Sequence, residues 1–439
     1  MFEIWFTKRL IDLIDEVYEK VYHFGMKHDY KEILNYQINK RYLNARELEY
    51  GNDPFFGLSP YEYEEYLAYL EDNALDKKPF NVYPLRTFNS KRLYLCVCEE
   101  LRNIYRDMFH LIKEDMLETG PLLSERESFD FDRSRIFSEI EGSLNVENVP
   151  TTRRRVRELL EKKIEPANKN DVIIRNMGKG IDFVRSRPPF SKENLRKLYD
   201  LLTEGCLEED EKLRPGEYYR YDGVEVDNYQ GCPVGQIEEC MDSLFAYVNG
   251  LLDKADDTFS FILPHICHYY IIYIHPYFDY NGRTARMVSF WIYLLISHDL
   301  FPPLISEMIN QTKSDYYRSI RNSRNAHNDL TYFVLYLLKG TVSYYLNYKN
   351  LEHISQESKN RGIQLTETEL NYLKCILISS KGAFNYLDFL KFCHISISKQ
   401  GALKTLNRLI EAGGLVEISS KSKTKLFSIN DAMIKYKLS

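Results

Sequence analysis

HPYFDYNGRTAR, residues 275–286, gathers a histidine, a proline, an aspartate, an Asn-Gly pair and two arginines between two apolar stretches. The stretch before it, FSFILPHICHYYIIYIH (259–275), is apolar on most sides and reads as a largely buried helix. Pro276 disfavours helical geometry at the residue before it, so that helix should end near His275. TARMVSFWIYLLIS (284–297) then starts a second apolar helix, and the pair of buried helices sets the fold as mainly α.

The segment between them stands at the N-terminus of the second helix. Free backbone N–H groups and the positive end of the dipole attract phosphate there. Asn281 and Gly282 suit a tight turn, and glycine allows the backbone close approach to a ligand. Arg283 and Arg286 project from the first helical turn on one side, where guanidinium forks match phosphate oxygens. Asp279 offers the hard oxygen that Mg²⁺ prefers, and Mg²⁺ takes few protein ligands when phosphates supply the rest. His275 can take a proton from a hydroxyl near neutral pH. These parts describe a Mg²⁺–nucleotide site with a base beside it.

The rest of the chain bounds that reading. At 439 residues, 44 % hydrophobic and 28 % charged, it is globular and long enough for several domains. A net charge of −6 excludes a general nucleic-acid or anionic-membrane binder. The excess is uneven, because from Ile363 onward eleven Lys/Arg face six Asp/Glu. The eight cysteines form no CxxC, which points to reduced thiols and a cytoplasmic protein. The acidic, helical N-terminus does not read as a secretory signal. Apolar runs such as MVSFWIYLLIS fall short of the roughly 20 residues of a membrane span, so no membrane is expected.

Helical periodicity dominates, as in RLIDLIDEVYEKVYHF (9–24) and ENLRKLYDLLTEG (193–205). RPGEYYRYDGVEVDNYQGCPVGQ (214–236) breaks the rule and reads as a β-hairpin around Asp-Gly, leaning over the site as a flap. The domain expectation is a helical region over 1–130, a catalytic domain over 131–341, a polar linker over 342–364 and a C-terminal domain over 365–439. His265 and His268 lack a convincing third metal ligand and read as core residues.

His275, Pro276, Asp279, Asn281, Gly282, Arg283 and Arg286 together resemble the signature loop of the Fic family, H-P-F-x-(D/E)-G-N-G-R-x-x-R. The resemblance covers roughly residues 130–340 and implies a Fic-type helical bundle with a β-hairpin flap. It also implies an enzyme moving AMP from ATP, with Mg²⁺, onto a Ser, Thr or Tyr hydroxyl of a target protein or of itself. Carried over by position, His275 is the base and Asp279 the metal ligand. Asn281, Gly282 and Arg283 form the phosphate nest, and Arg286 reaches the γ-phosphate. Glycine at 282, where the kinase-like branch has lysine, favours nucleotidyl transfer. Tyr280 stands where the family usually has glycine. A tyrosine takes positive φ only at a cost, so the loop is expected to differ slightly or the ring to line the nucleotide site. The hairpin would align the target by strand addition.

SRIFSEIEGSLN (134–145) resembles the family's inhibitory helix, (S/T)-x-x-x-E-(G/N). Glu141 and Gly142 match; Phe137 holds the hydroxyl position, with Ser138 the nearest hydroxyl. The resemblance implies that Glu141 pairs with Arg286 and restrains the enzyme. In some relatives the same glutamate supports removal of AMP, so de-AMPylation or another nucleotidyl transfer stays open.

Residues 365–439 resemble a winged helix-turn-helix domain. A capping box, Thr366 to Glu369, opens one helix, and Ser398 caps another that stops at Gly413–Gly414. Strand, basic turn and strand follow. Lys404 and Arg408 lie one turn apart on the third helix, and Lys421, Lys423 and Lys425 stud the turn; these could meet phosphates of duplex DNA. The alternative function is therefore a DNA-binding transcriptional regulator whose Fic-like part senses nucleotide. The N-terminal helices could support the inhibitory segment or mediate a homodimer.

Overall fold

The computed structural model describes residues 28–50, 57–73, 84–89, 91–119, 125–226, 229–253, 262–296, 305–380, 382–393, 395–418 and 425–437. The expected helix over 9–24 and the basic residues Lys421 and Lys423 lie outside the described residues. Helices dominate. In chain order they begin with α1 (Tyr30–Asn39), α2 (Ala45–Tyr50), α3 (Pro60–Asn73), α4 (Glu99–Thr119), α5 (Glu125–Val146) and α6 (Arg153–Leu160). Then come α7 (Lys169–Arg185), α8 (Lys192–Thr203), the strands β1 (Glu225–Val226) and β2 (Tyr229–Gln230), α9 (Val234–Leu252), α10 (Leu263–Ile274) and α11 (Asn281–Ile296). The chain continues with α12 (Ile305–Gln311), α13 (Lys313–Asn325), α14 (Thr331–Asn360), α15 (Glu367–Ser379), α16 (Tyr386–Phe392), α17 (Lys399–Glu411), β3 (Leu415–Ile418) and β4 (Leu426–Ile429). No helix of the described residues is long and apolar enough to cross a membrane.

Two compact units divide the chain. One comprises Met1–Asn103, Ile164–His298 and Lys313–Tyr336; the other comprises Ile104–Lys163, Asp299–Thr312 and Leu337–Ser439.

In the first unit α10 is the spine. Every residue from Leu263 to Ile274 is buried, as its all-round apolar sequence requires. α11 packs along it, and α7, α8 and α9 complete the bundle. Each buried Ile or Leu here contributes about 1.5–3 kcal/mol over its exposed state. His265 and His268 are core residues, and the His268 ring meets the Tyr316 hydroxyl at 3.0 Å. The segment around α1–α3 docks on the same unit through Asp329. That buried carboxylate accepts hydrogen bonds from the Tyr42 hydroxyl at 2.6 Å and the Thr331 N–H at 2.9 Å.

The hairpin falls inside the expected span but is narrower. β1 and β2 pair only Glu225 with Gln230 and Val226 with Tyr229. Next to the ladder the Gly231 N–H donates to the Val224 carbonyl at 3.0 Å, and farther out the backbone turns to the loop: the Arg220 N–H donates to the Pro276 carbonyl at 2.9 Å and the Cys232 N–H to Ile274 at 3.1 Å. Backbone groups spent on the loop are lost to the ladder.

In the second unit α5 packs against α12. Gly142 makes this possible, because a Cβ there would lie 2.6 Å from the Glu307 backbone nitrogen. Most of the expected linker over 342–364 proves to be helix, since α14 continues to Asn360. No Gly or Pro interrupts residues 341–361, and Ile354 is buried in the C-terminal core, so packing as well as propensity extends the helix. The C-terminal elements are three helices and a two-stranded ribbon, with Leu373, Phe389, Leu406, Leu409 and Phe427 at their core. The Thr366–Glu369 capping box and the Ser398 cap form as the sequence predicts.

Candidate active site

α10 ends at His275, whose backbone turns left-handed (φ 55°, ψ 62°) while its N–H still donates to Ile271 at 2.9 Å. A residue with a Cβ adopts that conformation at a cost of about 1–2 kcal/mol, so neighbouring groups must hold it. Arg220 supplies them. Its Nε donates to the His275 carbonyl at 2.8 Å, its Nη1 to Asp222 at 2.6 Å, and its Nη2 to Cys232. Gly231 lets the hairpin come this close: a Cβ there would meet Val224 Cγ2 at 2.8 Å, Arg220 Nη2 at 3.0 Å and the His275 Cβ at 3.3 Å. The Tyr229 hydroxyl donates to Tyr273 at 2.8 Å and pins the second strand to α10.

The His275 imidazole is largely buried. Burial first, then the charges of Arg220 and Arg324, push it down to about 4, so it is neutral at physiological pH. Its Nδ1 is buried and meets no hydrogen-bond partner among the described residues.

Past Pro276 the loop is braced from within. Asn281 accepts from the Tyr277 N–H at 3.0 Å and donates to its carbonyl at 2.8 Å. Tyr277 stacks on Tyr199, ring centroids 3.8 Å apart. Asn281 and Gly282 open α11 instead of forming a turn ahead of it, because the Tyr280 carbonyl already accepts the Thr284 N–H at 2.8 Å. Tyr280 accepts the backbone cost directly. It takes the positive φ, 65°, that suits glycine, and its ring is buried. The ring lies over the Arg283 guanidinium, 3.3 Å from centroid to carbon, a cation–π contact of about 0.5–2 kcal/mol that offsets the strain.

Arg283 is buried and also faces Asp279 at 3.2 Å. The Asp279 carboxylate remains 46 % exposed, and its Oδ1 accepts the Tyr280 N–H at 2.6 Å. One half-exposed carboxylate at the N-terminus of a helix that offers N–H groups to phosphate is the donor set that Mg²⁺ uses beside a nucleotide. Arg286 is 2 % exposed on the next turn; after burial, its charge holds His268 well below the usual histidine range. The structure thus brings His275, Asp279, Tyr280, Asn281, Gly282, Arg283 and Arg286 into one loop and helix start.

The residues of the inhibitory resemblance lie in the second unit. Ser138 is buried, and Ser138, Glu141, Gly142 and Asn145 share the α5 face that lines a cleft of about 1080 Å³ with Arg153 and Tyr372. Within this unit the ion-pair partner of Glu141 is Arg153, at 3.6 Å. Burial raises the Glu141 carboxyl, against the pull of Arg153. Arg153 also reaches Glu307 at 3.7 Å. Burial would push Glu307 up as well, but Lys374, with a hydrogen-bonded ion pair, and the Tyr344 hydroxyl bring it below its ordinary value.

On α17, Lys404 is exposed, while Arg408 is engaged by Glu411 at 3.4 Å and Glu369 at 3.6 Å. Lys425 faces Glu417 at 2.8 Å. Sequence reasoning missed Arg220, Gly231 and Arg153. Arg220 sits in the aromatic run EYYRYD, where it read as one polar residue of a hairpin. Gly231 had the weak signal of a glycine just past a strand.

Comparison with known proteins finds likeness over part of the chain. Residues 189–293 match the model of the Fic/DOC family, a span that runs from before α8 through most of α11. Protein adenylyltransferase fic-1 of Caenorhabditis elegans is 34 % identical over 103 residues, 23 % of this chain and 19 % of that protein. Protein adenylyltransferase Fic of Nematostella vectensis is 34 % identical over 76 residues, 17 % of this chain and 16 % of that protein. The matched part therefore spans about a fifth or less of these relatives. Among solved structures, a Fic family protein from Desulfovibrio desulfuricans aligns with a TM-score of 0.49 at 18 % identity, over 75 % of this chain and 96 % of that one. A Fic domain containing signaling protein from Bacteroides thetaiotaomicron aligns with a TM-score of 0.44 at 20 % identity, over 57 % and 95 % of the two chains.

Proposed function

Because residues 189–293 match the model of the Fic/DOC family, we propose that the protein transfers AMP from ATP to a Ser, Thr or Tyr hydroxyl of a target protein or of itself. The observation that carries this reading is the placement of His275, left-handed at the end of α10, at the head of a loop that leads into the N-terminus of α11 and its two arginines. In the proposed step the target hydroxyl oxygen bonds to the α-phosphorus of ATP, and its proton passes to His275. The bond from the α-phosphorus to the bridging oxygen breaks, and pyrophosphate leaves with the electron pair. The N–H groups opening α11, with Gly282 and Arg283, hold phosphate oxygens, and buried Arg286 serves the γ-phosphate. Asp279 holds Mg²⁺, which when bound neutralises phosphate charge. Tyr280 keeps Arg283 in place instead of contacting the base. Glu141 restrains the reaction.

Label transfer from α-labelled ATP tests both parts. Protein-bound label should appear weakly with wild type, rise in Glu141→Gly, and vanish in Glu141→Gly/His275→Ala. Absence of label from all three, with cell lysate supplied as target, would sink the AMP-transfer reading.

A further inference from the structure

His275 carries its imbalance in the backbone: a left-handed, β-carbon-bearing residue at a helix end, followed by a proline that offers no N–H. The carbonyls of His275 and Pro276 turn away from α10, and both are taken by one residue, the first by the Arg220 Nε at 2.8 Å and the second by the Arg220 N–H at 2.9 Å. The other end of the guanidinium reaches Asp222 and Cys232, so the fork ties the two arms of the flap to the loop at once. Arg220 is 2 % exposed, and no acid pairs with it in these contacts; all four of its hydrogen bonds here go to backbone carbonyls. A buried cation spent on carbonyls, each a charge-assisted bond, fixes backbone geometry more firmly than neutral donors would.

We propose that Arg220 is the positioning residue of this site: it holds His275 in its left-handed conformation and so aims the imidazole, while coupling the flap that presents the target to the base that deprotonates it. The inference rests on the reading of His275 as the base. It predicts that damage to this tie harms transfer and spares nucleotide binding, because the α11 N-terminus is braced separately by Asn281 and Tyr277.

The test compares Arg220→Lys, Arg220→Gln and Gly231→Ala in the Glu141→Gly background. Steady-state transfer, Mg²⁺–ATP affinity by calorimetry and the His275 imidazole titration by NMR are measured for each. Arg220→Lys keeps the charge and loses the fork, so kcat should fall roughly 10²-fold, the scale of a misplaced reacting group, with Kd for nucleotide unchanged. Arg220→Gln should lower kcat as much and also raise the His275 titration from about 4, because one of the two flanking cations is gone and only Arg324 remains against Asp279. Gly231→Ala keeps the arginine in the sequence but crowds its guanidinium at 3.0 Å and the His275 Cβ at 3.3 Å, so it strains the same tie from the hairpin side and should lower kcat by itself. Folded variants with wild-type kcat and an unmoved His275 titration would overturn the proposal. Should the arginine variants fail to fold by circular dichroism, Gly231→Ala decides. A wild-type protein with no transfer activity would remove the AMP reading, yet the His275 titration in these variants would still show whether Arg220 positions the ring.

Discussion

In the loop over 275–286, most anchors join a side chain to backbone, Asn281 to Tyr277, Asp279 to the Tyr280 N–H and Arg220 to the His275 carbonyl, with the Asp279–Arg283 ion pair beside them. At the Glu141 face of α5 the charged groups hold one another instead, Glu141 to Arg153, Arg153 to Glu307 and Glu307 to Lys374. Backbone anchors have one register and one distance. The partly exposed Glu141–Arg153 pair can exchange partners at little cost, about 1 kcal/mol or less, whereas Glu307–Lys374 is buried and stays paired. The loop is therefore built as a fixed site, whereas the surroundings of Glu141 suit an element whose partner can change.

Replacing His275, the proposed base, should break the fixed half most severely. His275→Ala in the Glu141→Gly background should cost about 10²–10⁴-fold in transfer rate with nucleotide affinity retained; a loss confined to affinity would mean the residue binds rather than reacts.

Acid probes the burial that sustains the loop. Burial leaves His265 at about 3, His268 well below the usual range and His275 at about 4. Depressed histidines contribute stability that is complete above their unfolded value of about 6.5 and is lost as pH falls toward their folded values. Asp329, raised by burial to about 6, acts with the opposite sign between its unfolded value and 6. Denaturant midpoints should fall between pH 6.5 and 4 by the equivalent of a few kcal/mol, and Asp329→Asn should steepen the fall. A flat profile would show that the histidines are more solvated than their packing indicates.

The exchangeable half yields smaller numbers. Glu141→Gly should raise transfer by about 5- to 100-fold, the range of an ordinary coupling between sites. Arg153→Ala, which frees the Glu141 carboxylate, should lower it by about three- to fivefold, and that effect should disappear in the Glu141→Gly background. Equal effects of Arg153→Ala in both backgrounds would show that Arg153 acts elsewhere. Least of all, Tyr280→Gly removes the positive-φ strain and the contact with Arg283 together. The two nearly cancel, leaving a net destabilisation of about 1–2 kcal/mol from lost ring burial; a stabilised variant would mean that the ring never offset the strain.

The order of residues from His275 to Arg286 was legible because each is chemically distinctive at a local spacing, and the two flanking helices were legible because every face of them is apolar. The capping box at Thr366 and the stop at Gly413 were equally local, and they form where expected. Arg220 could not be read this way. Its partners lie 55 residues away at His275 and 12 away at Cys232, and an arginine bonding to carbonyls leaves no complementary residue type in the sequence. Nor could the pairing of Glu141, since an acid within reach of several arginines by sequence finds its partner only when α5 and α6 pack. The same holds for the helix through 342–360, whose polar sequence allowed a linker until Ile354 found a core. Sequence by itself determined the local chemistry: where helices start and stop, and which residue types gather at the head of α11. Tertiary structure alone decided which group each charge faces and how His275 is held, because those depend on distances between segments that no local spacing specifies.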